Sequence, residues 1–303
     1  MVMLRQQPEI PLVKPNMPSK LSTFLLSTAA SILLSVAFHS ARAEITDILP
    51  QVKISVAGVG TVHPLRSPRI KLLGTGFVVA DGHYVVTNAH VAPLLMEDEK
   101  GESLAVFLRG PDGVNVRKAE KVIDDPEHDL LLLKIEGDAV SPLKLANSGQ
   151  AREGQLYYFT GYPIGAVLGL YPATHRAGLA AIAPIFSPPP GVRNLTAKLI
   201  KRADNPFLMY QLDATAYPGN SGSPLYDGSS GAVIGVINSV FVKGAKENAL
   251  RDPSGITYAI PAKYIQDLLD KAGLQNATKL GNTLGSANTG VDLAAAPSAR
   301  IRK

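Results

Sequence analysis

Tyr217-Pro218-Gly219-Asn220-Ser221-Gly222-Ser223-Pro224 is the stretch on which the fold turns. It follows Leu208–Ala216, which reads as a strand. It precedes Val233–Val242, a run of apolar and β-branched residues that reads as another. Pro, Gly, Asn and Ser are ordinary turn residues, so a turn alone would account for the composition. A hydroxyl between two glycines, in a tight loop between buried strands, is nevertheless an unusual placement, and the chain supplies two partners for it. Thr87-Asn88-Ala89-His90-Val91 closes a β-rich run upstream. His128-Asp129-Leu130-Leu131-Leu132-Leu133 lies between, with an acid opening an apolar strand. His90, Asp129 and Ser221, in that chain order, match one of the orders known for acyl-transfer triads.

The surrounding sequence reads as strands and turns. Ile45–Val59 reads as a short lead-in helix and a first strand. Gly74–Val79 and Tyr84–Thr87 flank Asp81-Gly82, a two-residue hairpin signal. Leu104–Arg109, Val114–Val122 and Leu130–Ile135 are further strands, and Ser141–Gly149 is a linker. Gln155–Thr160, Val167–Leu170, His175–Ile182, Leu208–Asp213, Val233–Val242 and Ile256–Ile260 make a second set. Residues 183–207 carry Pro184, Pro188, Pro189 and Pro190, which would remove ladder donors, so they read as an excursion loop. Lys243–Ser254 is a second, polar excursion. Pro261–Gly273 predicts a helix, with proline at its start, apolar residues at three- and four-residue spacing and glycine at its end. Residues 273–303 are small and polar without periodicity, the composition of a disordered tail.

Within the 303 residues Trp and Cys are absent, while Val, Ile, Leu, Ala, Gly and Pro are frequent. That suits many short strands joined by tight turns and excludes disulfides and cysteine-bound metal. The formal charge of +5 comes from the ends: residues 1–43 and 273–303 carry +3 each, leaving 44–272 at −1. A near-neutral body carries no electrostatic footprint for nucleic acid. Residues 1–43 have the layout of a secretory signal: scattered basic residues, the apolar run Leu21–Phe38, and Ala41-Arg42-Ala43 as cleavage site. The alternative, an uncleaved anchor, is weakened by the six Ser and Thr residues in that run. An exported chain beginning at Glu44, with no membrane span after signal removal, is expected in the bacterial periplasm or outside the cell.

A serine hydroxyl is a weak nucleophile until a base takes its proton. Histidine does this near neutral pH, and a carboxylate on its other nitrogen fixes the tautomer. Ser221 is accordingly the candidate nucleophile, His90 the base and later acid, and Asp129 the orienting group. The N–H groups of Gly219 and Ser221 are the natural oxyanion donors. His128 could compete as base, but it ends the charged run Asp124-Asp125-Pro126-Glu127-His128, which reads as a solvated turn. The six His are scattered without metal-ligand spacing, so neither a metal nor a cofactor is expected.

These residues resemble the trypsin-like (chymotrypsin-fold) serine proteases, and among them the bacterial HtrA/Deg-like group. The matching segments are Gly76–Val79, Tyr84–Val91, Asp129–Ile135, Gly219–Leu225, Ile234–Ser239 and Ile256–Pro261, and the similarity covers roughly residues 70–272. It implies an all-β fold of two six-stranded barrels, over about 46–145 and 150–260, followed by a helix over 261–272. It also implies a protease domain spanning 44–272 that acts on protein or peptide substrates. Ser223 departs from the Gly of most HtrA-like members and matches the glutamyl endopeptidase branch. About thirty residues after the helix leave no room for a PDZ domain. Asn220 stands where trypsin-type zymogens carry the Asp that pairs with a new N-terminus, so no such ion pair is expected. In this fold the pocket for the residue before the scissile bond falls on Thr215, Ala216, Val240 and Phe241. It holds no acid to select Lys or Arg and no His for Glu, so small and medium aliphatic side chains are expected. Two other classes compete. A catalytically silent trypsin-like scaffold would bind peptides without cutting them. An α/β-hydrolase would need G-x-S-x-G, which Ser223 breaks. Oligomeric state is not legible.

Overall fold

The computed structural model describes residues 44–92, 101–110, 113–147, 149–165, 169–185, 207–239 and 255–276. The signal-like segment, most of the 183–207 loop, all of the 243–254 excursion and nearly all of the tail lie outside the described residues.

Helix α1 (Ile45–Ser55) leads into twelve strands: β1 (Val56–Val62), β2 (Ile70–Val79), β3 (Tyr84–Asn88), β4 (Ser103–Gly110), β5 (Gly113–Asp125), β6 (Leu130–Ile135), β7 (Leu156–Gly161), β8 (Ala173–Ile185), β9 (Phe207–Asp213), β10 (Pro224–Tyr226), β11 (Val233–Asn238) and β12 (Ile256–Pro261). Helix α2 (Ala262–Lys271) follows. The strands close into two barrels, β1-β2-β3-β6-β5-β4 and β7-β8-β9-β12-β11-β10, with every pairing antiparallel. The two orders are the same when each barrel is counted from its own first strand. The all-β double barrel with a C-terminal helix is therefore as expected from the sequence.

Two details differ from expectation. Of the expected strand Val167–Leu170, residues 167 and 168 lie outside the described residues, and Gly169 and Leu170 lie in a loop. The sixth strand of the second barrel is Pro224–Tyr226, immediately after the Ser221 turn. It is three residues long and opens on a proline, which cannot donate to a ladder and so sits at a strand's first position. A register shift between Leu225 and Tyr226 breaks its alternation further. The other detail is β11, which closes at Asn238.

The four-leucine run of β6 shows how the core is divided. Leu131, Leu133 and Ile135 join Val59, Val78, Val85 and Val106 inside the first barrel. Leu130 and Leu132 face the opposite way, into a cluster with Phe77, Val86, Tyr162, Val236 and Leu268 that lies between the barrels and under α2. Strands buried on both faces read as continuous apolar runs. The second barrel has its own interior around Tyr157, Phe159, Leu179, Leu212 and Ile237. Helix α2 buries Ala262, Ile265, Leu268 and Leu269. It ends in a Schellman arrangement, with Gly273 at φ +71 and bonds from Gly273 N to Asp270 O and from Leu274 N to Leu269 O.

Candidate active site

Strand β3 delivers His90. It ends at Asn88, and a 3-10 turn over Ala89–Val91 lifts the imidazole out of the sheet while Val91 stays buried. Asp129 sits at the mouth of β6, the strand paired with β3, in a left-handed backbone conformation (φ 53) uncommon for a residue with a Cβ. Its carbonyl accepts from Ala89 N (3.1 Å) and Asn88 Nδ2 (3.0 Å). Its carboxylate grips His90 twice: Oδ1 accepts from the backbone N–H at 3.0 Å, and Oδ2 lies 2.6 Å from Nδ1. A carboxylate at Nδ1 fixes the imidazole with its Nε2 able to accept a proton. Asn238, the last residue of β11, donates from Nδ2 to the same Oδ2 at 2.8 Å and so reaches the pair from the second barrel. On the β5 side of the pair lies a cleft of about 640 Å³ lined by His90, Asp129, Lys121, Ile123, Asp124 and Pro126.

Ser221 lies between β9 and β10 and is nearly buried. Its turn is tied to the first barrel through Thr75, a residue of β2 that is fully buried. Thr75 N donates to Ser221 O at 2.8 Å, and Thr75 Oγ1 donates to Gly219 O at 2.6 Å. The same hydroxyl accepts from Tyr162 N at 3.0 Å, and Thr75 O accepts from Thr87 Oγ1 at 2.6 Å. The turn is packed so closely against β2 on one side and the residue after β7 on the other that no side chain fits between them. At Gly222 (φ +88) a Cβ would stand 1.9 Å from Thr75 O, and at Gly219 (φ +100) it would stand 2.2 Å from Tyr162 O. Glycine is thus required at both positions by conformation and by space.

The structure brings His90 and Asp129 into direct contact. Ser221 Oγ hydrogen-bonds the hydroxyl of Ser239, and among the described residues no bond joins it to His90. The N–H groups of Gly219 and Ser221 donate to no described residue. Thr215 and Ala216 are half-buried, and Ala216 N donates to Thr257 Oγ1 at 3.0 Å. Val240 and Phe241 lie outside the described residues. His128 is engaged with Asp125 rather than with His90 or Ser221. Sequence reasoning assigned no hydrogen-bonding role at this site to Thr75, Asn238 or Ser239. A signal for Asn238 was present: it is an amide closing an otherwise apolar strand, Val233-Ile234-Gly235-Val236-Ile237.

A family model described as a trypsin-like peptidase domain matches residues 74–236, just over half of the chain. The chain belongs to the trypsin-like peptidase family. Among curated relatives of this trypsin-like chain, a probable periplasmic serine endoprotease DegP-like from Marinomonas sp. is 28% identical over 219 residues, covering 70% of this chain and 38% of the relative. The chloroplastic Protease Do-like 5 of Arabidopsis thaliana is 32% identical over 197 residues, 64% of this chain and 54% of the relative. The chain thus spans between about a third and just over half the length of these relatives. Among solved structures, an HtrA-type protease with a tripeptide superposes with a TM-score of 0.52 at 23% identity, covering 75% of this chain and 63% of that one. The Rv3671c protease in an inactive form gives 0.52 at 22% identity, covering 75% of this chain and 92% of that one. Both likenesses concern the fold. Thr75, His90, Asp129 and Ser221 fall inside the trypsin-like span, and Asn238 and Ser239 lie just beyond it.

Proposed function

We propose that the chain is an exported serine endopeptidase that cuts protein or peptide substrates through Ser221, His90 and Asp129. The observation that carries this reading is the His90–Asp129 pair at 2.6 Å, together with a Ser221 turn tied to the same barrel by Thr75. In the reaction Ser221 Oγ leaves Ser239 and turns to His90. It attacks the scissile carbonyl carbon while its proton passes to Nε2. The carbonyl oxygen becomes an oxyanion, for which the N–H groups of Gly219 and Ser221 are the donors. Collapse breaks the C–N bond, and His90 returns the proton to the leaving amine. Water, deprotonated by His90, then releases the acyl group by the same path. Asp129 keeps the imidazole in the tautomer that permits both transfers, and Asn238 steadies Asp129.

Half-buried Thr215 and Ala216, with no charge between them, favour a small or medium aliphatic side chain before the cut, because an unpaired charge buried there would cost several kcal/mol. Export is supported by the layout of residues 1–43 and by relatives named periplasmic. Among the described residues no helix is long and apolar enough to cross a membrane.

A silent binding scaffold is the second reading, favoured by one observation: the Ser221 hydroxyl rests on Ser239 rather than His90. A fluorophosphonate probe separates the two. The endopeptidase labels at Ser221 and cleaves casein, and Ser221→Ala abolishes both; a scaffold does neither. Labelling or cleavage that survives Ser221→Ala would refute the nucleophile assignment. A peptide library cut mainly after Lys, Arg or Glu would refute the pocket.

A further inference from the structure

His128 takes no part in that chemistry, although it directly precedes Asp129. Its ring is held on three sides. It stacks on Tyr264 of α2, with centroids 4.0 Å apart and planes 20° apart, and meets Phe207 of β9 edge-on at 5.2 Å. Its Nδ1 lies 2.9 Å from Asp125 Oδ2. Asp125 Oδ1 accepts from the N–H groups of Glu127 and His128, both at 3.2 Å, which closes the turn between β5 and β6. Lys271, in the last turn of α2, places its Nζ 3.4 Å from Asp125 Oδ2. Burial pushes the Asp125 carboxyl up, but the hydrogen bonds and charge of His128, with the charge of Lys271, outweigh it and hold it below the usual carboxylate range. Tyr264 is itself fixed, its hydroxyl accepting from Leu208 N at 3.2 Å.

The left-handed backbone of Asp129 persists only if its surroundings over-determine it. On its carbonyl side the determinants are Ala89 and Asn88 of the neighbouring segment, which hold its carbonyl. Upstream they are the Asp125 cap and the docked ring of His128. We propose that His128 is a positioning residue for Asp129: by seating the 125–129 turn on α2 and β9, it holds Asp129 in the conformation that aims its carboxylate at His90. The proposal rests on the reading of His90 and Asp129 as a catalytic pair. It makes α2, which belongs to neither barrel, part of the support of the site.

A double-mutant cycle on the full chain tests it, with the second-order rate of fluorophosphonate labelling as readout. His128→Ala should slow labelling roughly ten- to a hundredfold, the scale of an ångström-sized misplacement. In an Asp129→Asn background the same change should matter less than about twofold, because residues acting as one unit are non-additive. Tyr264→Phe keeps the stacked ring and should keep the rate. Tyr264→Leu removes the ring and should reproduce the loss; it also replaces His128→Ala in the cycle should that variant fail to fold. An unchanged rate in His128→Ala overturns the proposal, as does an equal loss in both backgrounds, which would mark a merely structural role. If the wild-type chain does not label, the catalytic-pair reading falls and the proposal with it. If it labels at Ser221 while both ring variants behave as wild type, the proposal alone falls.

Discussion

Thr75 concentrates more of the site's geometry than its chemistry announces. One short side chain and its own peptide group hold the carbonyls of Gly219 and Ser221 and the amide of Tyr162. Thr75→Val keeps the shape but removes the hydroxyl, leaving Gly219 O and Tyr162 N short of a partner at a buried position. Each buried polar group left unsatisfied costs about 1–3 kcal/mol. The expected outcome is a loss of stability on that scale in urea, with a larger proportional loss of labelling at Ser221, because the turn that presents the serine is released. Thr75→Ser should restore both. Equal labelling by Thr75→Val and wild type would mean the turn is held by its glycines alone. None of this was legible beforehand. Thr75 and Gly219 are 144 positions apart, and a threonine between glycines in a strand gives no local sign of a partner so distant.

Strand β6 was the most legible element. An acid followed by four leucines has no alternation because both faces are covered, one by the first barrel's interior and one by the joint between barrels. The exception is Lys134, which is exposed. Leu132→Ala should cost about 2–5 kcal/mol as a buried large-to-small change, whereas Lys134→Ala should stay within about 0.5 kcal/mol. Urea midpoints with unchanged slopes would measure the contrast, and similar costs would mean β6 is not buried on two sides. Helix α2 was equally readable, through its proline start, apolar spacing and terminal glycine. Strand β10 was not, because three residues opening on proline carry neither period nor propensity. The His90, Asp129 and Ser221 motifs stood out in the sequence because each interrupts a strand pattern with a residue that pattern does not need. Asn238 and Ser239 did not, since they look like the polar end of a strand.

Across the whole molecule, acid should act through two separate windows. His175 stacks on Phe159 at 4.7 Å, its Nε2 is buried without a described partner, and burial pulls its pKa below the ordinary 6.5. The unfolded chain then takes up that proton first, so stability falls as pH drops from about 6.5 towards the native value. Asp125 and Asp227 behave differently. Burial raises both, but His128 and Lys271 for the first, and Ser229 and Ser230 for the second, bring them below 3.8. Their contribution is present above 3.8 and lost as pH falls through their native values. Melting temperature should therefore decline in two steps, and His175→Phe should remove the upper step while leaving the lower. A decline between pH 7 and 5 that survives His175→Phe would contradict this. The joint between the barrels has a further consequence. Because β2, β3, β6 and β11 each give one face to a barrel and the other to the shared cluster, neither barrel can come apart without exposing its neighbour. A chain proposed to cut polypeptides is surrounded by copies of itself, and a half-open copy would be the nearest available substrate. All-or-none opening would keep such copies scarce, and the double barrel would then also shield the population from digesting itself.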